Sequence, residues 1–207
     1  MALVKYNNNS ISAVTSTGLA TGSLVPIKTL TASSSATLSF VHGTDGVVLD
    51  STYPIYKFEF INIHPATNNA DLQFQADTGT NTNYNQTITS TSFRAYHMEN
   101  DSQTNLGYEG GGDQAQGTGF QRITNGTGTD NDSCGVGTLH LFSPSSSIFV
   151  KHFIISSNHN HDSAQYSYTN HIAGYFNTTT ALTRVQFKMS SGNIDAGKIK
   201  LYGIKDS

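Results

Sequence analysis

The run LTRVQFKMSSGNIDAGKIKLYGIKDS, residues 182–207, carries the clearest backbone signal in the chain. Val185, Phe187 and Met189 alternate with Arg184, Gln186 and Lys188. That is the two-residue period of a strand with one dry and one wet face. GNIDAG then turns the chain, and KIKLYGIK returns with Ile199 and Leu201 on one side. Read as a terminal hairpin, the run is stable only if its apolar face packs against a second sheet. Its inward residues would fill that interior, each contributing roughly 1.5–3 kcal/mol by burial.

The same signal recurs upstream. ATLSFVH (36–42) alternates Leu38 and Phe40 with polar neighbours, and GTDG (43–46) closes it. IYKFEFINIHP (55–65) shifts parity after Phe58 and Phe60, with Ile61 and Ile63 following, which points to a bulge or to burial on both faces. DLQFQAD (71–77) reads as its hairpin partner, with Leu72, Phe74 and Ala76 inward. ITSTSFRAYHMEN (88–100) is a further strand. VGTLHLFSP (136–144) and SIFVKHFIISS (147–157) form a second hairpin, with Phe149, Lys151, Phe153 and Ile155 on one face. SNHNHDSAQ (157–165) reads as a loop, and YSYTNHIAGYFN (166–177) as one strand or two short ones. No stretch shows apolar i, i+3, i+4, i+7 spacing with caps at both ends. The expected fold is therefore all-β: one antiparallel, jelly-roll-like sandwich of about nine to eleven strands over residues 29–207. Residues 101–135, rich in glycine, read as surface loops around one short element at 118–124. Residues 1–28 read as an amino-terminal arm docked on a partner.

Composition agrees. Only 12% of the 207 residues are charged, about half the usual share. Polarity comes instead from 26 Thr, 24 Ser and 18 Asn, residues that favour strands and turns over helix interiors. The 21 Phe and Tyr residues supply large buried areas, so the chain does not read as disordered. A net charge of −3 gives no basic footprint for nucleic acid. No apolar run approaches the ~18 residues that span a bilayer, so no membrane partner is expected. MALVKYNNNS lacks the apolar stretch of a secretory signal. Cys134 stands alone, without a cationic neighbour to activate it.

Candidate chemistry is sparse. His159 and His161 would project to one side of a strand and, with Asp162 and His171 further on, could hold a divalent ion; solvated loop histidines are the plainer reading. His140 and His152 read as a cross-strand pair or as half-buried polar positions. Asp71, Asp77, Glu99, Asp101, Glu109 and Asp113 fall at strand ends and in loops, where nothing would desolvate them into a glycosidase pair. TDNDS (129–133) lacks the bidentate Glu and spacing of an EF-hand. A nucleophile elbow, a P-loop and a dinucleotide fingerprint are absent. These observations imply no catalytic residues and no cofactor. Tyr166, Tyr168 and Tyr108 remain as contacts for a glycan or a protein partner.

The closing run VQFKMSSGNIDAGKIKLYGIK resembles a C-terminal hairpin found in virion structural proteins of tailed phages, especially marine and cyanobacterial ones. MALVKYNNNSIS and SSSATLSFVHGTDGVVLDSTYPIYKFEFINI are similar to the same group, and the middle of the chain is so more loosely. The resemblance implies a non-enzymatic virion part assembled in the host cytoplasm. It would sit on the capsid surface as decoration or cement, or in a fibre or tail-associated assembly. Its partners would be other virion proteins and itself as a homo-oligomer, a trimer being one form. The alternative is a lectin-like receptor-binding module for host surface glycan.

Overall fold

A computed structural model describes residues 23–161 and 166–206. Asp162 and residues 1–22 of the expected arm lie outside the described residues. Thirteen strands occur among the described residues, and no helix. They are β1 (Leu24–Thr31), β2 (Leu38–Val41), β3 (Ile55–Pro65), β4 (Leu72–Thr78), β5 (Ile88–Met98), β6 (Thr104–Tyr108) and β7 (Gln114–Gly117). There follow β8 (Gln121–Arg122), β9 (Gly135–Phe142), β10 (Lys151–Asn160), β11 (Tyr166–Phe176), β12 (Leu182–Met189) and β13 (Ile194–Ile204). Residues 24–28, placed in the arm by sequence, are the first part of β1 and pair with β13.

The strands form two antiparallel sheets. The larger runs β1-β13-β3-β9-β10-β11-β5-β6, with β7 also on β5; the smaller runs β2-β12-β4-β8. The chain crosses between sheets at every step from β1 to β5, again at β7→β8 and β8→β9, and again at β11→β12 and β12→β13. Orders 1-13-3-9 and 2-12-4-8 in facing sheets are those of a jelly roll, two interleaved Greek keys. The expected sandwich is therefore present, with more strands than the alternation in the sequence suggested.

Two expected hairpins are instead arches. β12 and β13 never pair with each other: β12 lies between β2 and β4, and β13 between β1 and β3. The turn at 190–193 carries the chain from one layer to the other, so the inward faces of the two strands meet across the core. β3 and β4 are likewise in opposite sheets. Alternation fixes which face is dry, but it does not say whether the next strand lies beside or opposite. The β9–β10 hairpin is as expected, with Ile155 opposite Leu139.

The core is aromatic. Phe187 of β12 packs on Phe58 and Phe60 of β3 with ring centroids 5.3 and 5.4 Å apart, and on Phe40 of β2 at 6.1 Å. Phe74 of β4 meets Phe153 of β10 edge-on at 5.1 Å and Phe176 of β11 at 5.8 Å. All of these rings are buried. Edge-to-face pairs add about 0.5–1.5 kcal/mol beyond area burial. The parity shift in β3 is a bulge: pairing with β9 skips between Phe60 and Ile63, and Asn62 takes φ of 50°. The extra residue returns Ile63 to the inner side beside Phe58 and Phe60, and all three are buried.

The smaller sheet is too short to cover the larger one. Beyond β11, the inner side of β5 is roofed by the glycine-rich stretch. This stretch is not loop throughout: β6 and β7 pair with β5, and β8 pairs with β4. Gln121 holds the roof in place, accepting from Ser90 Oγ at 2.6 Å and donating to the Gly112 carbonyl at 2.6 Å. Lys151 is fully buried at the other end. Its ammonium donates to the carbonyls of Ser146, Phe149 and Thr178, which fastens the β9–β10 loop. Burial pulls its pKa below the usual lysine value. Phe149, expected on the same inward row, lies before the strand and is exposed.

Candidate functional site

The chemistry-bearing side chains gather at one end of β5, β10 and β11. Inward alternation brings Arg94 and Tyr96 of β5, Tyr166 and Tyr168 of β11, and His159 of β10 to the same side of the sheet, with His161 just past β10. Register explains the proximity: Tyr168 lies directly opposite Tyr96 on β5 and His159 on β10. The Tyr96 and Tyr168 rings stack at 5.8 Å, and His161 stacks on Tyr168 at 5.8 Å. Tyr166 meets Tyr96 edge-on at 4.9 Å.

Tyr168 is only 3% exposed. Its hydroxyl accepts from Arg94 Nη1 at 2.8 Å and Asn125 Nδ2 at 2.9 Å, and donates to Glu109 Oε2 at 3.2 Å. Burial pushes the phenol pKa up, and the Asn125 and Arg94 hydrogen bonds pull against it. Arg94 also pairs with Glu109, and Arg122 bridges Glu109 to Asp71, its Nε 2.9 Å from Asp71 Oδ2. The second Asp71 oxygen accepts from the Gly126 amide at 2.7 Å. Burial works against the charge on Arg94, and the Tyr168 hydrogen bond with nearby Glu109 more than offsets it, so its pKa rises. The network is a clamp: its carboxylate oxygens are engaged by guanidinium, amide or hydroxyl groups, and it fastens the roof (109–126) onto the extended sheet.

This differs from the sequence reading in three ways. His159 is not a loop residue. It ends the inward row Ile155, Ser157, His159 on β10 and is 1% exposed. Glu109 and Asp71 are desolvated by the roof, and Asp77 is fully buried on β4. Asp77 accepts from the Thr78 and Tyr84 amides and from Gln86 Nε2, each at 2.9 Å, and so holds the loop after β4. His140 and His152 are not a cross-strand pair, the first alternative, since His140 lies opposite Ile154 and His152 opposite Tyr175. His140 is half-buried, in line with the second alternative, and His152 is exposed. Burial and then Lys57 lower the His140 pKa.

Of the three tyrosines singled out, Tyr166 and Tyr168 come together. Tyr168 has both ring faces and its hydroxyl occupied, so it is a structural centre with no face left for a ligand. Tyr108 lies apart, on the outer side of edge strand β6 opposite Phe93, with its hydroxyl on Asp113. The sequence reading missed Arg94, Tyr96, Arg122 and Asn125. Parity was the available signal for the first two, since SFRAYHM places Arg94 and Tyr96 on the inward row of β5.

His159 Nε2 lies 2.6 Å from the Asn125 carbonyl, to which it donates in the tautomer with its proton there, and 3.3 Å from the Asn125 amide. Nδ1 has no hydrogen-bond partner among the described residues. Burial and then neighbouring His161 pull its pKa down to about 4, against the Asn125 hydrogen bond. The unfolded chain binds a proton at this residue near pH 6.5, the folded chain only near 4. Stability therefore falls as pH drops from about 6.5 to 4 and loses nothing more from this group below that. The expected contribution is roughly 2–4 kcal/mol. Urea unfolding of His159→Gln at pH 7, 5.5 and 4.5 should show a shallower acid slope than the parent. Equal slopes would remove His159 as the cause.

Elsewhere a polar hollow of about 440 Å³ lies between Asn62, His64, Asp132, Cys134 and Asp195. Burial and then Asp132 raise the Cys134 pKa, which disfavours the thiolate. Among the described residues, no group of three or more His, Cys, Asp or Glu side chains is placed to hold a metal ion. Comparison with family models, curated proteins and solved structures found no match to the chain.

Proposed function

We propose that the protein is a non-enzymatic structural component of a tailed-phage virion, on the capsid surface as decoration or cement, or in a fibre or tail-associated assembly. The observation that carries this reading is the outer side of the larger sheet. No Lys, Arg, Asp or Glu points outward from β9, β10, β11, β5 or β6. Phe93, Leu106, Tyr108 and Ile154 are exposed there. A broad, rigid face of this composition has the chemistry of a protein–protein contact, because charge is depleted and aromatics are enriched where proteins adhere. The resemblance of the closing run to tailed-phage virion proteins gives the assembly its kind, and residues 1–22 would serve as its attachment arm.

Mass spectrometry of purified particles of the phage encoding this chain tests the reading. The expected result is the chain in stoichiometric, multi-copy amounts. Abundance in infected-cell lysate with absence from particles would overturn it. The glycan-binding alternative rests on Tyr166 and Tyr96, the half-buried rings of the cluster. It would be favoured by glycan-array binding that Tyr166→Ala abolishes.

A further inference from the structure

We infer that the outer face of β9, β10, β11, β5 and β6 is the surface through which two copies of this chain pack face to face about a two-fold axis. This deepens the assembly reading, and rests on it in supposing that copies of the chain meet one another.

Three observations select a second copy as the occupant. The first is charge. Outward residues on the neighbouring strands β3 and β13 include Lys57, Glu59, Lys198 and Lys200, and the charged strip ends there. From β9 onward the outward rows are Thr, Ser, Asn, His, aromatic and aliphatic. Carboxylates reach this face only near β6, where Asp113 accepts from Tyr108 and Asp101 pairs with His97. The rest offers little complement to a charged partner and little repulsion to itself. The second is shape. His171, Phe93 and Tyr108 lie side by side across β11, β5 and β6 and form a ridge. Phe93 is 48% exposed and stacks on His171 at 5.2 Å. One row along, small Thr91 and Ala173 form the floor of a hollow of about 620 Å³, walled by Phe142, His152, Ile154 and Tyr175. A ridge and a hollow about 7 Å apart are what an isologous contact needs, since a two-fold axis between them seats each ridge in the other copy's hollow. The third is size. Five strands at ~4.8 Å spacing and up to eleven residues long present roughly 20 by 35 Å of face. The corrugated surface of such a face is close to the ~800 Å² per partner of a stable interface. Facing sheets pack about 10 Å apart and about 30° out of alignment.

Residues 1–22 are the rival occupant, in cis. They join the described chain at β1, the opposite edge of the same sheet, across the charged strip.

The test is sedimentation equilibrium of the full chain at pH 7.5 from about 1 to 100 µM, beside Phe93→Asp, Thr91→Arg and the control Lys200→Glu on the charged strip. The expected result is a dimer for the parent and the control, and at least tenfold weaker association for both face variants. Circular dichroism confirms folding, and two separate substitutions guard against one failing to fold. A parent chain that is monomeric throughout overturns the inference, as does a dimer that both face variants leave intact. A monomer that dimerises only when residues 1–22 are deleted also overturns it, and gives the face to the arm. Particle mass spectrometry is independent of all these outcomes, so failure of this interface and failure of the virion reading are told apart.

Discussion

Phe187→Ala is expected to lower the unfolding free energy by about 4–5 kcal/mol, the upper part of the range for emptying a buried phenylalanine site. Phe187 is where the two layers meet. Its ring lies within 5.3–6.2 Å of Phe40, Phe58, Phe60 and Phe74, drawn from three other strands and both sheets. None of those rings can follow the lost side chain without leaving its own contacts, so the site collapses poorly and the cavity cost stays high. For a domain of this size the loss corresponds to a fall in melting temperature of roughly 10–15 °C. Phe187→Leu, which keeps most of the volume, should cost about 1–2 kcal/mol. Equilibrium denaturation of the three proteins checks both values. A loss below 1 kcal/mol for the alanine variant would mean that the layers do not close on this ring.

The inward rows were legible because one physical constraint, a dry face opposite a wet one, writes itself into alternation. Val185, Phe187, Met189, Ile199 and Leu201 are all buried as read. The break in parity after Phe60 was legible for the same reason, but not its cause: a bulge and burial on both faces read alike, and only the structure puts Ile63 on the inner side with Phe58 and Phe60. Partner choice was not. SSGN can reverse a strand within its sheet or lift it to the facing sheet, and the dry face of β12 looks the same either way. The short strands β6 and β7 were hidden because TNLGY and QAQG join the sheet through backbone hydrogen bonds on the edge of β5, with little apolar pattern to mark them. His159 was hidden by its polar neighbours: HNHD reads as loop until β10 is followed two residues further. The Arg94–Glu109–Arg122–Asp71 clamp joins residues up to 51 positions apart through a roof that no local pattern encodes.

Two glycines of the closing run SSGNIDAGKIKLYGIK have physical reasons in the structure. Gly203 lies under the Tyr53 ring, where an added Cβ would come within 2.3 Å of Tyr53 Cδ2. Gly197 sits opposite the β3 bulge with φ of 112°. The bulged backbone crowds it: a Cβ would lie 2.5 Å from the Asn62 carbonyl oxygen and 2.8 Å from Ile63 Cα. Backbone cannot swing aside as a flexible side chain does, and an L residue is strained at that φ in any case. The bulge and the glycine are thus one device. Asn62 is the extra residue that returns Ile63 to the core, and Gly197 is the space that admits it. Gly197→Val is accordingly expected to cost about 4 kcal/mol, or to prevent soluble expression, by forcing β3 and β13 apart inside the larger sheet. Gly43→Ala separates the two causes. Gly43 also has a left-handed φ, 78°, but open space around it, so its loss should stay near 1 kcal/mol. Denaturant midpoints of the two variants measure the difference. Equal losses would leave backbone strain as the whole effect and remove the close approach of β3 as the reason for glycine at 197.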